Sequence, residues 1–257
     1  MVQSTIRDYR ERHEGEDLIY FQVVVKQTDL SIGIDRTAFE PGLPAEVERW
    51  ILKLRGDLET YIETDPFFRD SLEPMELLPG APPIARAMAL AAVVAEVGPM
   101  AAVAGAFAEE IGRMLMKRSP NVIVENGGDL FIATNRERLV GVHAGDSAFS
   151  GKIAVRIKPE ESPLGLCTSS GTVGPSFSFG KADAAIVKAA SAYLADAVAS
   201  GVGNRVLDKE NLVPAIEYGQ ELPGVTGLLV IKEDRLAAWG EIELVPLTEK
   251  LSQKRPL

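Results

Sequence analysis

Apolar and polar positions change period several times along the chain, and each change marks an element. In residues 17–35, DLIYFQVVVKQTDLSIGID, two runs rich in β-branched and aromatic residues flank Gln27-Thr28-Asp29, which predicts a hairpin. Val47, Trp50, Ile51, Leu54, Leu58 and Tyr61 then recur at helical spacing, so a helix is expected over residues 44–62, stopped by Asp65-Pro66. Residues 67–83 are rich in proline and aromatics and read as an ordered surface connector. They are an internal sub-boundary in what is otherwise a single domain over residues 1–257. Residues 84–117 predict a pair of alanine-rich helices broken at Gly98-Pro99. Short strands are expected at 121–124, 130–134, 138–143, 152–157 and 164–168, one long helix at 181–200, and a final hairpin over 226–247 turned at Glu233-Asp234. Strands linked by hairpins, with helices inserted and no regular βαβ alternation, predict an α+β fold with antiparallel or mixed sheets.

Composition narrows the function. With 257 residues and 46% hydrophobic content the chain can bury a sizeable core. The balance of 27 basic against 37 acidic residues, a net charge of −10, repels phosphate backbones and anionic lipid, so nucleic acid and membrane surfaces are not expected as partners. One cysteine, Cys167, excludes an internal disulfide and suits the cytoplasm. Two histidines beside it are too few for a typical zinc site, so a bound metal should be a hard, oxygen-liganded one. The charged start, MVQSTIRDYRERHEGED, does not read as a secretory signal. Residues 88–108 are apolar and long enough to span a bilayer, but Glu96 and Gly98-Pro99 interrupt them, which favours two helices in a soluble core.

Three segments carry candidate chemistry. In VIVENGGDLFI, Gly127 and Gly128 supply the positive backbone angles of a tight hairpin, and they also let backbone amides approach a ligand between Glu125 and Asp129. Beyond the strand at 164–168, Thr168, Ser169, Ser170, Gly171 and Thr172 offer hydroxyls and amides in the mixture that binds phosphate, and equally the residues of an ordinary loop. On the expected helix, at about 100° per residue, Asp183 falls within the apolar arc of the first turn, where a carboxylate compensates the helix dipole. Asp196 and Ser200 lie one turn apart beside that arc. They are either a solvated edge or one carboxylate and one hydroxyl oxygen facing a Mg²⁺ ion. Ser178 to Lys181 matches S-x-x-K by chance, since S-D-N and K-T-G are both missing, and Cys167 reads as a buried strand thiol rather than a nucleophile paired with His143.

The order GGD at 127–129, TSSG at 168–171 and ADAVAS at 195–200 resembles the ApbE-like flavin-transferase superfamily, in a bacterial and archaeal branch that also carries ENGGD, CTSSGT and SFGKADA. The resemblance implies a T-fold-related architecture binding FAD and Mg²⁺. It puts the metal on Asp196 and Ser200, the nucleotide beside Gly127, Gly128, Asp129, Thr168, Ser169 and Gly171, and Gly105 at the family's glycine-containing helix start. The chain departs from the active transferases in four places. Ala104 stands for their lysine, Glu125 for an asparagine and Ser200 for a threonine, and TVGPSFSFGKADAA replaces their H-x-x-D-P-x-T-G segment. Lys181 as a positive group and Asp183 as a base are the candidate catalytic substitutes. The expectation is a protein that binds a flavin nucleotide or another phosphate-containing ligand with Mg²⁺, a divergent FMN transferase at most. The alternative is a non-catalytic module whose alanine-rich helices serve ligand binding or a homodimer.

Overall fold

The first hairpin forms as β1 (Leu18–Val25) and β2 (Thr28–Asp35), reversed at Lys26-Gln27, just ahead of the expected turn. The computed structural model describes residues 17–172 and 179–247; residues 1–16, the basic tail at 248–257, and the segment holding Gly174 and Ser178 lie outside them. After β2 come α1 (Leu43–Thr64), the single turn α2 (Phe67–Asp70), α3 (Pro83–Val94) and α4 (Val103–Leu115). The chain then makes β3 (Val122–Asn126), β4 (Asp129–Ala133), β5 (Arg138–Gly141), β6 (Ile153–Ile157), β7 (Leu164–Ser169) and β8 (Ala184–Ala189). It finishes with α5 (Ala192–Asn204), α6 (Leu212–Gln220), β9 (Val225–Lys232), β10 (Arg235–Gly240) and β11 (Glu243–Pro246).

Eight strands pair in the order β1-β2-β3-β4-β7-β8-β9-β10, and every neighbouring pair is antiparallel. The inserted β5 and β6 join β11 in a second, three-stranded antiparallel sheet. The expected closing hairpin therefore forms only as β9–β10, turned at Glu233-Asp234, and β11 leaves for the other sheet. Two cores flank the large sheet. One, with Ile32, Val124, Phe131, Cys167 and Val187, packs against the helices; the other, with Ile132, Leu166, Ile186 and Leu229, packs against the small sheet. Layers of helix, sheet and sheet make this an α+β fold, in which the strand faces alternate between two dry surfaces.

The expected break between the alanine-rich helices is present and sharp. Glu96 takes a left-handed conformation (φ 51°), Pro99 opens a 3-10 turn, and the two helical segments meet at 104°. Among the described residues no single helix is long and apolar enough to cross a membrane. The connector at 67–83 is not merely superficial. Phe68 is wholly buried and stacks edge-on against Tyr61, and the Tyr61 hydroxyl accepts from the amide of Leu78.

Residues 181–200 depart most from the expected pattern. They form not a helix but strand β8, a short turn and then the first part of α5. All six residues of β8 are buried, because both its faces meet a core, so the period-two alternation of a half-exposed strand is missing and alanine-rich composition reads as helix.

Close helix-on-sheet packing needs Gly112, where an added Cβ lies 2.1 Å from the Phe131 ring. Gly112→Ala should lower stability by about 1–3 kcal/mol through overpacking, measured as a lower urea midpoint. Gly56→Ala in the exposed interior of α1, where an added Cβ meets nothing within 4 Å, should raise it by up to about 1 kcal/mol.

Candidate functional site

Helices α4 and α5 approach so closely that a Cβ on Gly105 would lie 2.2 Å from the Ala192 carbonyl oxygen and 2.8 Å from Cβ of Asp196. Only glycine fits there. Neither helix is capped by its own N-cap side chain; each borrows a carboxylate from the other. The Gly105 amide donates to Asp196 Oδ2 (2.8 Å), and the Ala104 amide also supports that carboxylate. In return Glu109 Oε2 accepts from the Ala192 amide (2.6 Å) and the Ser191 hydroxyl (2.8 Å), with the Tyr193 amide at 3.5 Å. Glu109 has a counter-ion, Arg113, at 2.7 Å. Among the described residues no basic side chain bonds to Asp196.

The ENGGD turn meets this joint from the sheet. Asn126 pairs with Asp129 around a two-residue loop in which Gly127 (φ 70°) and Gly128 (φ 109°) take positive angles, as the hairpin requires. Glu125 Oε1 accepts from the Gly128 amide (2.8 Å), so Glu125 braces the turn. The Asn126 amide group donates to the Ala104 carbonyl (3.1 Å), tying the turn to the start of α4. A Cβ on Gly127 meets nothing within 4 Å: the outer side of the turn faces open space.

Asp129, at the start of β4, accepts from the Thr168 amide (3.2 Å) and lies beside the Cys167 thiol. It shares the helix-facing side of the sheet with Phe131 and Cys167, and there it faces Asp196. Both carboxyls are buried. Loss of water pushes Asp129 up to about 7, and the Glu125 charge adds to this against the Thr168 amide and the thiol. Burial first, and repulsion from Asp129 second, hold Asp196 well above the usual carboxylate range despite its two amides. Burial and the same two acids raise the Cys167 thiol, which points at the Ala192 carbonyl. An exposed His143 beyond β5 belongs to the small-sheet side of the fold, so no Cys–His pair forms.

The TSSG segment is stitched to the far end of α5. Cβ atoms added to Gly171 and Gly180 would lie 2.0 Å from the Gly180 carbonyl and 1.8 Å from the Gly203 carbonyl, and one on Gly203 would touch the Ser169 hydroxyl at 3.2 Å. The amide of Phe179 also donates to Asn204 Oδ1 (3.0 Å). Ser169 thus lies against α5, whereas Ser170 and Thr172 bond to one another at the surface. Ser200 is half-buried one turn beyond Asp196, as the spacing requires.

Asp183 does not lie in a first helical turn, because residues 181–200 are not one helix. Asp183 precedes β8, roughly four residues and so about 13 Å along the strand from the level of Cys167, and its oxygens accept from the Glu233 amide (2.5 Å) and the Thr172 hydroxyl (3.2 Å) near Lys232. It lines a separate recess of about 420 Å³ with Asp146, Ser147, Lys209, Glu233 and Asp234. The Lys181 side chain is exposed. The structure therefore gathers Gly105, Gly127, Gly128, Asp129, Thr168 and Asp196, sets Ser169 against α5 at Gly203 and Ser200 one turn beyond Asp196, and leaves Asp183 and Lys181 apart from them. Sequence reasoning missed Glu109, and missed that Asp129 opposes Asp196; the only hint was an acidic residue one turn after Gly105 on an otherwise apolar helix face.

Chemically, two buried carboxyls with amide support and no cationic side chain offer oxygen ligands to a hard cation. Among the described residues no three His, Cys, Asp or Glu side chains converge to hold a metal, so hydroxyl and backbone oxygens would have to complete its shell.

Comparison with known proteins bears on the fold and the family. A family model described as "AbpE bacteria" matches residues 10–220. A UPF0280 protein of Methanocaldococcus jannaschii is 38% identical over 236 residues, covering 89% of this chain and 93% of its own, and one of Methanocella arvoryzae is 42% identical over 193 residues, covering 75% and 78%. Among solved structures, the flavin transferase ApbE from Vibrio cholerae superposes with a TM-score of 0.56 at 12% identity, covering 87% of this chain and 96% of its own. The flavinyl transferase ApbE of Pseudomonas stutzeri gives 0.50, also at 12% identity, covering 87% and 94%. At that identity the likeness concerns the fold, whereas the family match and the archaeal relatives concern the chain itself. The chain belongs to the ApbE-like family described as AbpE bacteria, together with the archaeal UPF0280 proteins.

Proposed function

We propose that the chain binds a flavin nucleotide, or another ligand carrying a diphosphate, through a Mg²⁺ ion held by Asp196 and Ser200 with Asp129 opposite. One contrast carries this: buried Glu109 has its arginine, while the equally buried Asp129 and Asp196 face each other with no basic side chain bonded to either among the described residues. Like charges buried together raise each other's proton affinity, and a divalent cation relieves both at once. The donor set fits, because carboxylate and hydroxyl oxygens are the ligands Mg²⁺ prefers, with ligand phosphates completing its octahedron. Bound there, Mg²⁺ supplies charge neutralisation for a diphosphate that a chain of net charge −10 otherwise repels. The amide of Gly127, beside open space, suits the phosphate, with Thr168, Ser169, Ser170 and Gly171 on the adjoining rim.

Binding with altered chemistry fits the residues better than FMN transfer. Ala104 offers no cation where the transferases have lysine, and Asp183 and Lys181 do not stand beside Asp196. A second, non-catalytic reading rests on one specific observation: Asp129 and Asp196 each also do structural work, on the amides of Thr168 and Gly105.

The full chain mixed with FAD and Mg²⁺ should retain flavin, followed by fluorescence, and Asp196→Ala should weaken retention at least about ten-fold. Equal retention with and without Mg²⁺ removes the cation from the scheme. Release of AMP, followed by mass, favours transfer over simple binding. A pH series gives a second test. Raised carboxyl pKa values mean that the folded chain holds protons which the unfolded chain has already released above pH of about 4, so stability falls as pH climbs toward and through about 7, the value of Asp129. In chelator the melting temperature should drop between pH 5 and 8, Asp129→Asn should flatten the drop, and Mg²⁺ should reverse it at the alkaline end. A melting temperature independent of pH and of Mg²⁺ would count against the paired carboxyls.

A further inference from the structure

Glu109 lies outside the proposed ligand set, yet the geometry ties it to that set through a closed ring. On α4, Gly105 and Glu109 are one turn apart; on α5, so are Asp196 and Ala192. Asp196 accepts from the Gly105 amide and Glu109 from the Ala192 amide, so the two helices are pinned at two points about 6 Å apart along each axis. One pin fixes a point, whereas two fix how far α5 is rotated and how deep it sits. The rotation of α5 decides whether the remaining lone pairs of the Asp196 carboxylate point toward Asp129 and the glycine turn. Gly165 reinforces the second pin, since a Cβ there would meet Cα of Ala192 at 2.4 Å, leaving the start of α5 no room to adjust except by turning.

We infer that Glu109 is a positioning residue for the cation site: by capping α5 at Ser191, Ala192 and Tyr193 it orients Asp196, one turn further on, toward Asp129. This rests on Asp196 holding the cation. Without the Glu109 carboxylate, the helices stay joined by the Asp196–Gly105 bond and by the Tyr193 hydroxyl on Glu110 (2.8 Å), but neither contact caps the amides that start α5, and Asp196 trades ligand geometry for capping. Outer partners that orient a ligand are commonly worth ten- to a hundred-fold in metal affinity.

Mn²⁺, a spin-active stand-in for Mg²⁺, can be titrated into the full-length protein while free ion is counted by electron paramagnetic resonance. Glu109→Ala should weaken Mn²⁺ binding about ten- to a hundred-fold, while Glu109→Gln, whose amide oxygen still accepts from Ala192, should stay within about three-fold of wild type. Loss of binding in both variants alike would point to charge rather than positioning and overturn the inference. So would wild-type affinity in a folded Glu109→Ala. If Glu109→Ala does not fold, hydrogen exchange on the wild type decides, because coupling between sites is reciprocal: saturating Mg²⁺ should slow exchange at the Ala192 and Tyr193 amides about ten-fold, and unchanged exchange overturns the inference. A wild type that binds no Mn²⁺ at all instead removes the cation site itself, and this inference with it.

Discussion

The exchange of carboxylates between α4 and α5 is the constraint on which the rest of the molecule hangs. A helix start exposes unpaired amides and a partial positive charge, and burying one without a partner is costly. Here two starts are buried against each other, and Asp196 and Glu109 satisfy them crosswise. The exchange works only at backbone contact distance, which is why Gly105 has no side chain, and it seats the helical layer on the sheet at Cys167 and Phe131. From that seating follow the depth of Asp196, its opposition to Asp129 and the opening beside Gly127.

The electrostatics of the two pins differ in a way that separates scaffold from site. Glu109 is neutralised by Arg113 and by the α5 dipole, so its burial costs little beyond ordering. Asp196 has the dipole of α4 but also a second acid before it, and Asp129 has one amide, that of Thr168, and a thiol. Folded chains rarely bury two facing acids without cause, since removing the charge altogether is the cheaper solution for stability.

Much of this was legible in the sequence, for identifiable reasons. The terminal hairpins, α1 and the break at Gly98-Pro99 declare themselves because their patterns are local: alternation, helical spacing, a proline after a glycine. Strand β8 does not, because Ala184-Ala185-Ile186-Val187-Lys188-Ala189 is buried on both faces. Even Lys188 is inside, bonded to Glu161 and to the Glu241 carbonyl, so polarity gave no clue to its facing. Gly127, Gly128, Asp196 and Ser200 could be singled out because glycine pairs and one-turn spacings are visible along a chain. The part played by Glu109 could not, since its partners lie more than eighty residues away and only tertiary contact joins them.

Gly171, Gly180 and Gly203 form a stack in which each backbone fills the place of the next one's missing side chain. Both roots of the connection between β7 and β8 are thereby moored to a single turn of α5, independently of what lies between them. The intervening residues can lengthen, shorten or change composition while strand register and the acid pair stay where they are. A scaffold anchored this way can exchange the segment between the two roots without refolding.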